Sequence, residues 1–416
     1  DNLLEKMTDE VAELVIKDNY LQTGSLSVSM ALQHRLADRL ANFMRELERG
    51  GYLNRKIEFL PDDETLEERK SQEIGFTRPE LCVLMAYAKI VLYDELLNSA
   101  FPDSPSMSYD LEHYFPTPLR QKYKQLILDH RLRREIVATM ATNAMVNRVG
   151  IVFAHEVKQK TGVQACDVAR AFAIVRNVFD MRQLWDQIDG LDNVVPATVQ
   201  SQMHTETGRL IERMATWFLM NCNHPLDITE NIEAYGPGVR ESTASLDEMI
   251  TESDREYLQQ RAKVFVEAGT PEPLARKVAN LRLLVSACDI VKVTRSVNAT
   301  VQTAGQVYFT IGSRLNIDWL RRQAAGLTTE SHWENQAVNA IIDDLYSHQY
   351  QLTLKMLQLA GGEVTDAEAL IGEWCERRGA GCVATTQVIH EIHGTGAADM
   401  AMLAVANRHL RALASE

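Results

Sequence analysis

The stretch Thr77 to Leu97, TRPELCVLMAYAKIVLYDELL, constrains the fold more than any other, because it is apolar on almost every side. Thr77 can cap a helix N-terminus with its hydroxyl, Pro79 stands in the first turn where an amide proton has no partner to lose, and Glu80 completes a capping box. The spacing predicts a helix that begins at Arg78. Leu81, Leu84, Met85, Ala88, Val91 and Leu92 share one stripe of period 3.6, yet Val83, Tyr87, Ile90 and Tyr93 cover much of the remaining surface, and only Lys89 interrupts them. A helix coated in this way must be enclosed by other helices.

The rest of the chain supplies them. Residues 5–18 place Met7, Val11, Leu14 and Val15 at helical spacing, and a second helix carries Leu32, Leu36, Leu40, Phe43 and Leu47 on one face before Gly50-Gly51 stops it. The charged stretch 57–75 reads as a connector holding a solvated helical turn or two, with a boundary near Gly75. Prolines 102, 105, 116 and 118 exclude a long helix across that region. Thr117-Pro118 then opens one long helix, periodic through Leu119, Tyr123, Leu126, Ile127, His130, Val137, Met140 and Ala144, with Gly150 near its end. The run 167–188 carries Val168, Phe172, Val175, Val178, Phe179, Trp185 and Ile188 on a stripe, Pro196 opens the next helix, and Asn221 to Pro225 breaks the pattern. Later stops stand at Gly236-Pro237-Gly238, at Gly269 with Thr270 as cap and Pro271 in the first turn, at Gly326, at Gly361-Gly362 and at Gly379 to Gly381. No set of alternating β-branched strands bounded by tight turns is found, so the expectation is an all-α, multi-helix bundle-like protein. Two helical lobes, 76–225 and 226–416, follow the helices of 1–75.

Composition narrows the function classes. A chain of 416 residues with 45% hydrophobic content can bury a large interior, and its length suggests two or three domains. The net charge of −14 argues against broad contact with nucleic acid or anionic lipid. No stretch is long and uncharged enough to span a bilayer, and DNLLEKMTDE lacks the apolar centre of a signal peptide, so the expected location is the cytoplasm. Cys82, Cys166, Cys222, Cys288, Cys375 and Cys382 are scattered without a CxxC pair, which fits reduced thiols better than a disulfide framework. Asp1 in place of an initiator methionine suggests a piece of a longer polypeptide.

Each chemical candidate meets a plainer reading. Gly236-Pro-Gly238 and Gly394-Thr-Gly396 begin like dinucleotide loops, but both lack the third small residue and neither follows a strand. His390 and His393 lie three apart and could face a metal, although the zincin spacing is four with an intervening Glu. Arg131, Arg133 and Arg134 in HRLRRE could grip a phosphate or a partner's carboxylates, with pairing inside the acidic chain as the favoured reading. Asn143 and Asn147, followed by Arg148, stand on an apolar helix and are expected to join a helix-to-helix hydrogen-bond network. TGVQACDVARAF, residues 161–172, has the outline of a helix-turn-helix, but Asp167, Asp180, Asp186, Asp189 and Asp192 crowd the region where phosphate contact needs Lys and Arg. No GxSxG elbow is present, and no cysteine context argues for activation.

Several long strings resemble one family. TDEVAELVIKDNYLQ, FTRPELCVLMAYAKIVLYDELL, HRLRREIVATMATNAMVNRVG, DVARAFAIVRNVFDMRQLWDQIDGLD with VPATVQ, and LIERMATWFLMN are similar to the C-terminal part of the large bacterial NAD-specific glutamate dehydrogenases. The likeness is dense from Met7 to about Asn221 and thinner beyond, with GTPEPLARKVANL, SACDIVKV and LNIDWL as later anchors. The resemblance implies a parent enzyme that oxidises L-glutamate with NAD in a long, homo-oligomeric subunit whose substrate and dinucleotide domains come first. It further implies that residues 1–75 link from the upstream dinucleotide domain and that the helical region packs on the catalytic domains. The family's GGxK motif and dinucleotide fingerprint are not in this sequence, so no catalytic, cofactor or metal residue is carried over onto any position. The reading is a helical C-terminal domain that is inactive alone, with a helix-turn-helix regulatory or DNA-binding module as the alternative.

Overall fold

The computed structural model describes residues 2–328, 332–361, 364 and 366–415, and among the described residues every regular element is a helix. The chain forms two compact units, the first from Asp1–Ala234 with Phe265–Arg282 and the second from Tyr235–Val264 with Leu283–Glu416.

In the first unit the helices run α1 (Asn2–Ala31), α2 (Gln33–Arg49), α3 (Asp63–Ser71), α4 (Arg78–Leu97), α5 (Ser108–His113), α6 (Thr117–Leu128), α7 (Arg133–Arg148), α8 (Phe153–Thr161), α9 (Ala165–Val178), α10 (Met181–Asp189) and α11 (Ala197–Asn221). Helix α4 starts where its cap demands: the Thr77 hydroxyl accepts from the Glu80 amide, and the Glu80 carboxylate accepts from the Thr77 amide at 2.7 Å. Its apolar surface is enclosed by α1, α2, α7 and α9, leaving Leu84 and Leu96 without exposure. Helix α3 has no buried residue and is the solvated turn of the connector. Between α4 and α5 the proline-rich crossing yields only two short 3-10 turns.

Four local expectations need correction. The first two helices do not part near residue 18: α1 continues through Gly24 to Ala31, because Ser25, Leu26 and Ser29 are buried and tertiary packing holds that segment helical. The long helix from Thr117 is two, α6 and α7. It breaks where the His130 ring nitrogen accepts the Leu132 amide at 3.1 Å and where Arg134 donates to the carbonyls of Leu97 and Ser99. The 167–188 run also divides, at Asp180, whose φ of 50° ends α9 and starts α10 in a new direction. Finally, the Thr270 hydroxyl caps nothing, since it is buried without a hydrogen-bond partner.

The second unit contains most of α12 (Ile228–Ala244), α13 (Leu246–Met249) and most of α14 (Glu252–Glu267). After α15 (Glu272–Leu284), which lies largely in the first unit, come α16 (Ala287–Ser296), α17 (Val301–Arg314), α18 (Ile317–Gly326), α19 (His332–Leu359), α20 (Ala367–Arg378), α21 (Ala380–Gly394) and α22 (Met400–Ser415). Helix α17 is central, packed by α13, α16, α18, α19 and α20. Gly236-Pro237-Gly238 does not stop a helix. It lies inside α12, where a Cβ on Gly238 would fall 2.7 Å from Val291 Cγ2 of α16, so the glycine serves close helix packing. Gly326 ends α18, while Gly362 lies outside the described residues.

The cysteine reading is also corrected in part. Gly379, at φ 55°, reverses the chain between α20 and α21 and brings the Cα atoms of Cys375 and Cys382 to 5.4 Å, where the two form a disulfide. Cys82 is exposed, Cys166 and Cys222 are half-buried, and only Cys288 of the remaining four is fully buried.

Candidate functional site

Helix α11 alternates its chemistry at helical spacing. Met203, Leu210, Met214 and Phe218 enter the core, while Gln200, Ser201, His204, Thr205 and Gly208 form a polar stripe on another side. That stripe faces the serine-rich segment Thr23–Ser29 of α1, and the two border a cleft of about 330 Å³ inside the first unit. The third wall is the turn from α7 into α8, a bend of 94° that passes through Gly150 at φ 130°, a conformation closed to other residues at low cost.

Ion pairs between elements fix the cleft. Arg148, at the end of α7, holds Asp189 of α10 through two parallel bonds of 3.1 and 2.8 Å and lies over the Trp185 ring at 5.0 Å. His204 Nε2 sits 3.2 Å from the same carboxylate. Burial alone would raise the Asp189 carboxyl, but hydrogen bonds from His204 and Arg148, with the charge of Arg148, outweigh it and hold the group at about 2. At neutral pH Asp189 is therefore a carboxylate that orients and binds, not a proton donor. At the other end, Arg39 of α2 is clamped by Glu156 of α8 and reaches Glu212 of α11 at 3.3 Å. Gln200 donates to the Tyr20 hydroxyl at 3.0 Å and to the Ile188 carbonyl at 2.9 Å, and the Ser25 hydroxyl satisfies the Val146 carbonyl at 3.0 Å. Arg78 closes the rim through Ser27 Oγ and the Thr23 carbonyl. The arrangement ties α1, α2, α4, α7, α8, α10 and α11 together through ion pairs and hydrogen bonds already engaged with one another.

The sequence candidates fall elsewhere, with one exception. Arg133 and Arg134 converge on Asp103, the first at 2.8 Å, so these two arginines of HRLRRE are paired within the chain, while Arg131 is exposed. Residues 161–172 do form helix, turn and helix, but ten of the fourteen residues of α9 are buried, and a helix enclosed in this way cannot enter a groove of DNA. His390 and His393 are exposed on α21, the latter against Trp319, and among the described residues no cluster of three or more metal-ligating side chains occurs. Gly394 ends α21, and Gly396 lies in the turn after it. The exception is the Asn143, Asn147, Arg148 group, which does meet the cleft through Asn147 and Arg148. The bridging falls to Arg148, since Asn147 Oδ1 is enclosed without a hydrogen-bond partner. His204 and Gln200 escaped the sequence reading, although polar residues recurring every three or four positions within an apolar helix were the available signal.

An all-helical, two-unit protein with a charge-braced cleft is the class that this fold and site define. The family described as "Glutamate dehydrogenase, C-terminal" matches residues 73–412, and the chain belongs to it. It is similar to NAD-specific glutamate dehydrogenases of Pseudomonas aeruginosa (38% identity, 99% of this chain and 25% of the relative), Halomonas elongata (35%, 88% and 23%) and Mycobacterium tuberculosis (31%, 98% and 25%). The chain thus spans about a quarter of the length of these curated relatives.

Proposed function

We propose that this chain is the helical C-terminal part of a large NAD-dependent glutamate dehydrogenase and that it braces the catalytic part without reacting itself. The observation that carries the reading is the family match over residues 73–412, in a chain similar to a quarter of the NAD-specific enzymes. On this reading the parent converts L-glutamate, NAD⁺ and water to 2-oxoglutarate, ammonium and NADH, works as a cytoplasmic homo-oligomer, and holds its cofactor on polypeptide outside this segment. The cleft supports a mechanical role, because Arg148, Asp189, His204, Arg39 and Glu156 are engaged with one another across helices, as the members of a rigid frame would be.

The test compares glutamate-dependent NADH formation by the full-length polypeptide, by a form lacking this segment, and by the segment alone. Loss of turnover or assembly in the shortened form, with an inert isolated segment, is the expected result. Normal turnover, assembly and effector response without the segment would overturn the reading.

A further inference from the structure

The connector between α2 and α3 is built to present side chains outward. Leu53, Arg55 and Leu60 are buried, whereas Tyr52, Ile57 and Phe59 point out with 53%, 69% and 90% exposure. The base is firmly held: Arg55 pairs with Glu48 at 2.8 Å and Asp63 at 3.1 Å, and Tyr87 of α4 donates to Glu58 at 2.7 Å. The tip is equally ordered, with the Asn54 side chain accepting the Lys56 amide and the Leu60 amide reaching back to the Arg55 carbonyl at 2.9 Å. That last bond closes a turn whose left-handed position is ordinarily glycine. Here it is Phe59, at φ 55°. The other positive-φ residues that are not glycine, Glu73, Asp180, Asn193 and Asn316, are all polar. A bulky aromatic in that conformation and 90% exposed buries almost none of its surface within this unit and is held in place by the contacts beneath it.

The geometry points to Phe59 and Ile57, flanked by Tyr52 and Lys56, as a preformed anchor that inserts into an apolar pocket on the upstream catalytic part of the same polypeptide. The inference rests on the proposed function and adds the contact through which bracing is applied. The occupant follows from size and connectivity. Four side chains offer far less than the roughly 800 Å² per partner of a stable interface between separate molecules. A covalent tether raises the effective concentration to about the millimolar range, where so small an anchor suffices. The relatives are about four times as long as this chain, and the family described as C-terminal matches it over residues 73–412, with the connector at 52–60 just ahead of that match.

The test replaces Phe59 with p-benzoylphenylalanine in the full-length polypeptide, irradiates a mixture of isotopically heavy and light subunits, and maps the cross-linked peptides by mass spectrometry, with Glu67 of α3 as the control position. Cross-links from position 59 to the upstream region of the same subunit, several-fold above the control, are expected. Cross-links no stronger than the control, or running only to a second copy or to another protein, would overturn the proposal. A paired variant, Phe59→Ser with Ile57→Ser, should shorten the thermal half-life of full-length activity several-fold while leaving the unfolding midpoint of the isolated segment unchanged or higher. Equal losses in both would mean that the side chains serve only this unit. If removing the whole segment leaves catalysis intact while position 59 still cross-links upstream, bracing fails and the contact stands. The opposite pair of results sinks the contact alone.

Discussion

Asp189 is a carboxylate kept charged against its own burial, and that conflict has a pH signature. Its side chain is 13% exposed, so the fall from 3.8 to about 2 converts with little screening into roughly 2 kcal/mol of native-state stability. Because the folded value is the lower one, the contribution is complete above about pH 4 and is lost as pH falls from about 4 through about 2. Urea unfolding followed between about pH 6 and about pH 2 should show the first unit losing stability in that window. Asp189→Asn should begin lower by roughly 2 kcal/mol or more, since it leaves Arg148 enclosed without its partner charge, and should lose less on acidification. A native-like acid slope in the variant would assign the effect to another carboxylate. Asp110, buried between Arg176 and Arg182, is also held below its ordinary value and is the group to vary next.

At the level of helices, glycine shows how far local preference and tertiary packing diverge. Gly305 and Gly312 stand seven residues apart on α17, hence on one face, and a Cβ at Gly312 would lie 2.3 Å from Gln349 Nε2. Gln349 cannot step aside easily: it donates to the Tyr308 carbonyl at 2.7 Å and accepts from buried Arg321. Gly312→Ala should therefore destabilise the second unit by about 1–3 kcal/mol through overpacking, although the same change in an open helix gains up to about 1 kcal/mol. A midpoint shifted upward would show that Gln349 is free to move. The same contrast explains what the sequence discloses. The start of α4 is legible because Thr77, Pro79 and Glu80 act within one turn. The breaks between α6 and α7 and between α9 and α10 are not, because the apolar period runs across both while the causes lie in Arg134 reaching Leu97 and in one left-handed aspartate. Arg148 and Asp189 are both visible as residues, yet 41 positions separate them, and no local rule pairs them.

Over the whole molecule, sequence order and packing order part company at α15. Residues 265–282 come after a stretch, 235–264, that holds α13 and most of α12 and α14 and lies in the second unit, yet they belong to the first. Arg282 binds Glu206 of α11 at 2.7 Å, Lys277 reaches Gln187, and Ala275, Val278 and Ala279 are buried. Glu206 needs this return, for its side chain is 7% exposed and Arg209 supplies the other guanidinium at 3.1 Å. Cooperative opening follows packing, so native-state hydrogen exchange should read the division directly. In Asp189→Asn at neutral pH, the opening free energy of amides in 275–281 should fall together with that of α11, by roughly 2 kcal/mol, while α17 keeps its protection. In Gly312→Ala the order should reverse, with α17 exposed sooner and 275–281 unchanged. If 275–281 instead follow α17 in both variants, α15 opens with its neighbours in sequence and the first unit closes without it.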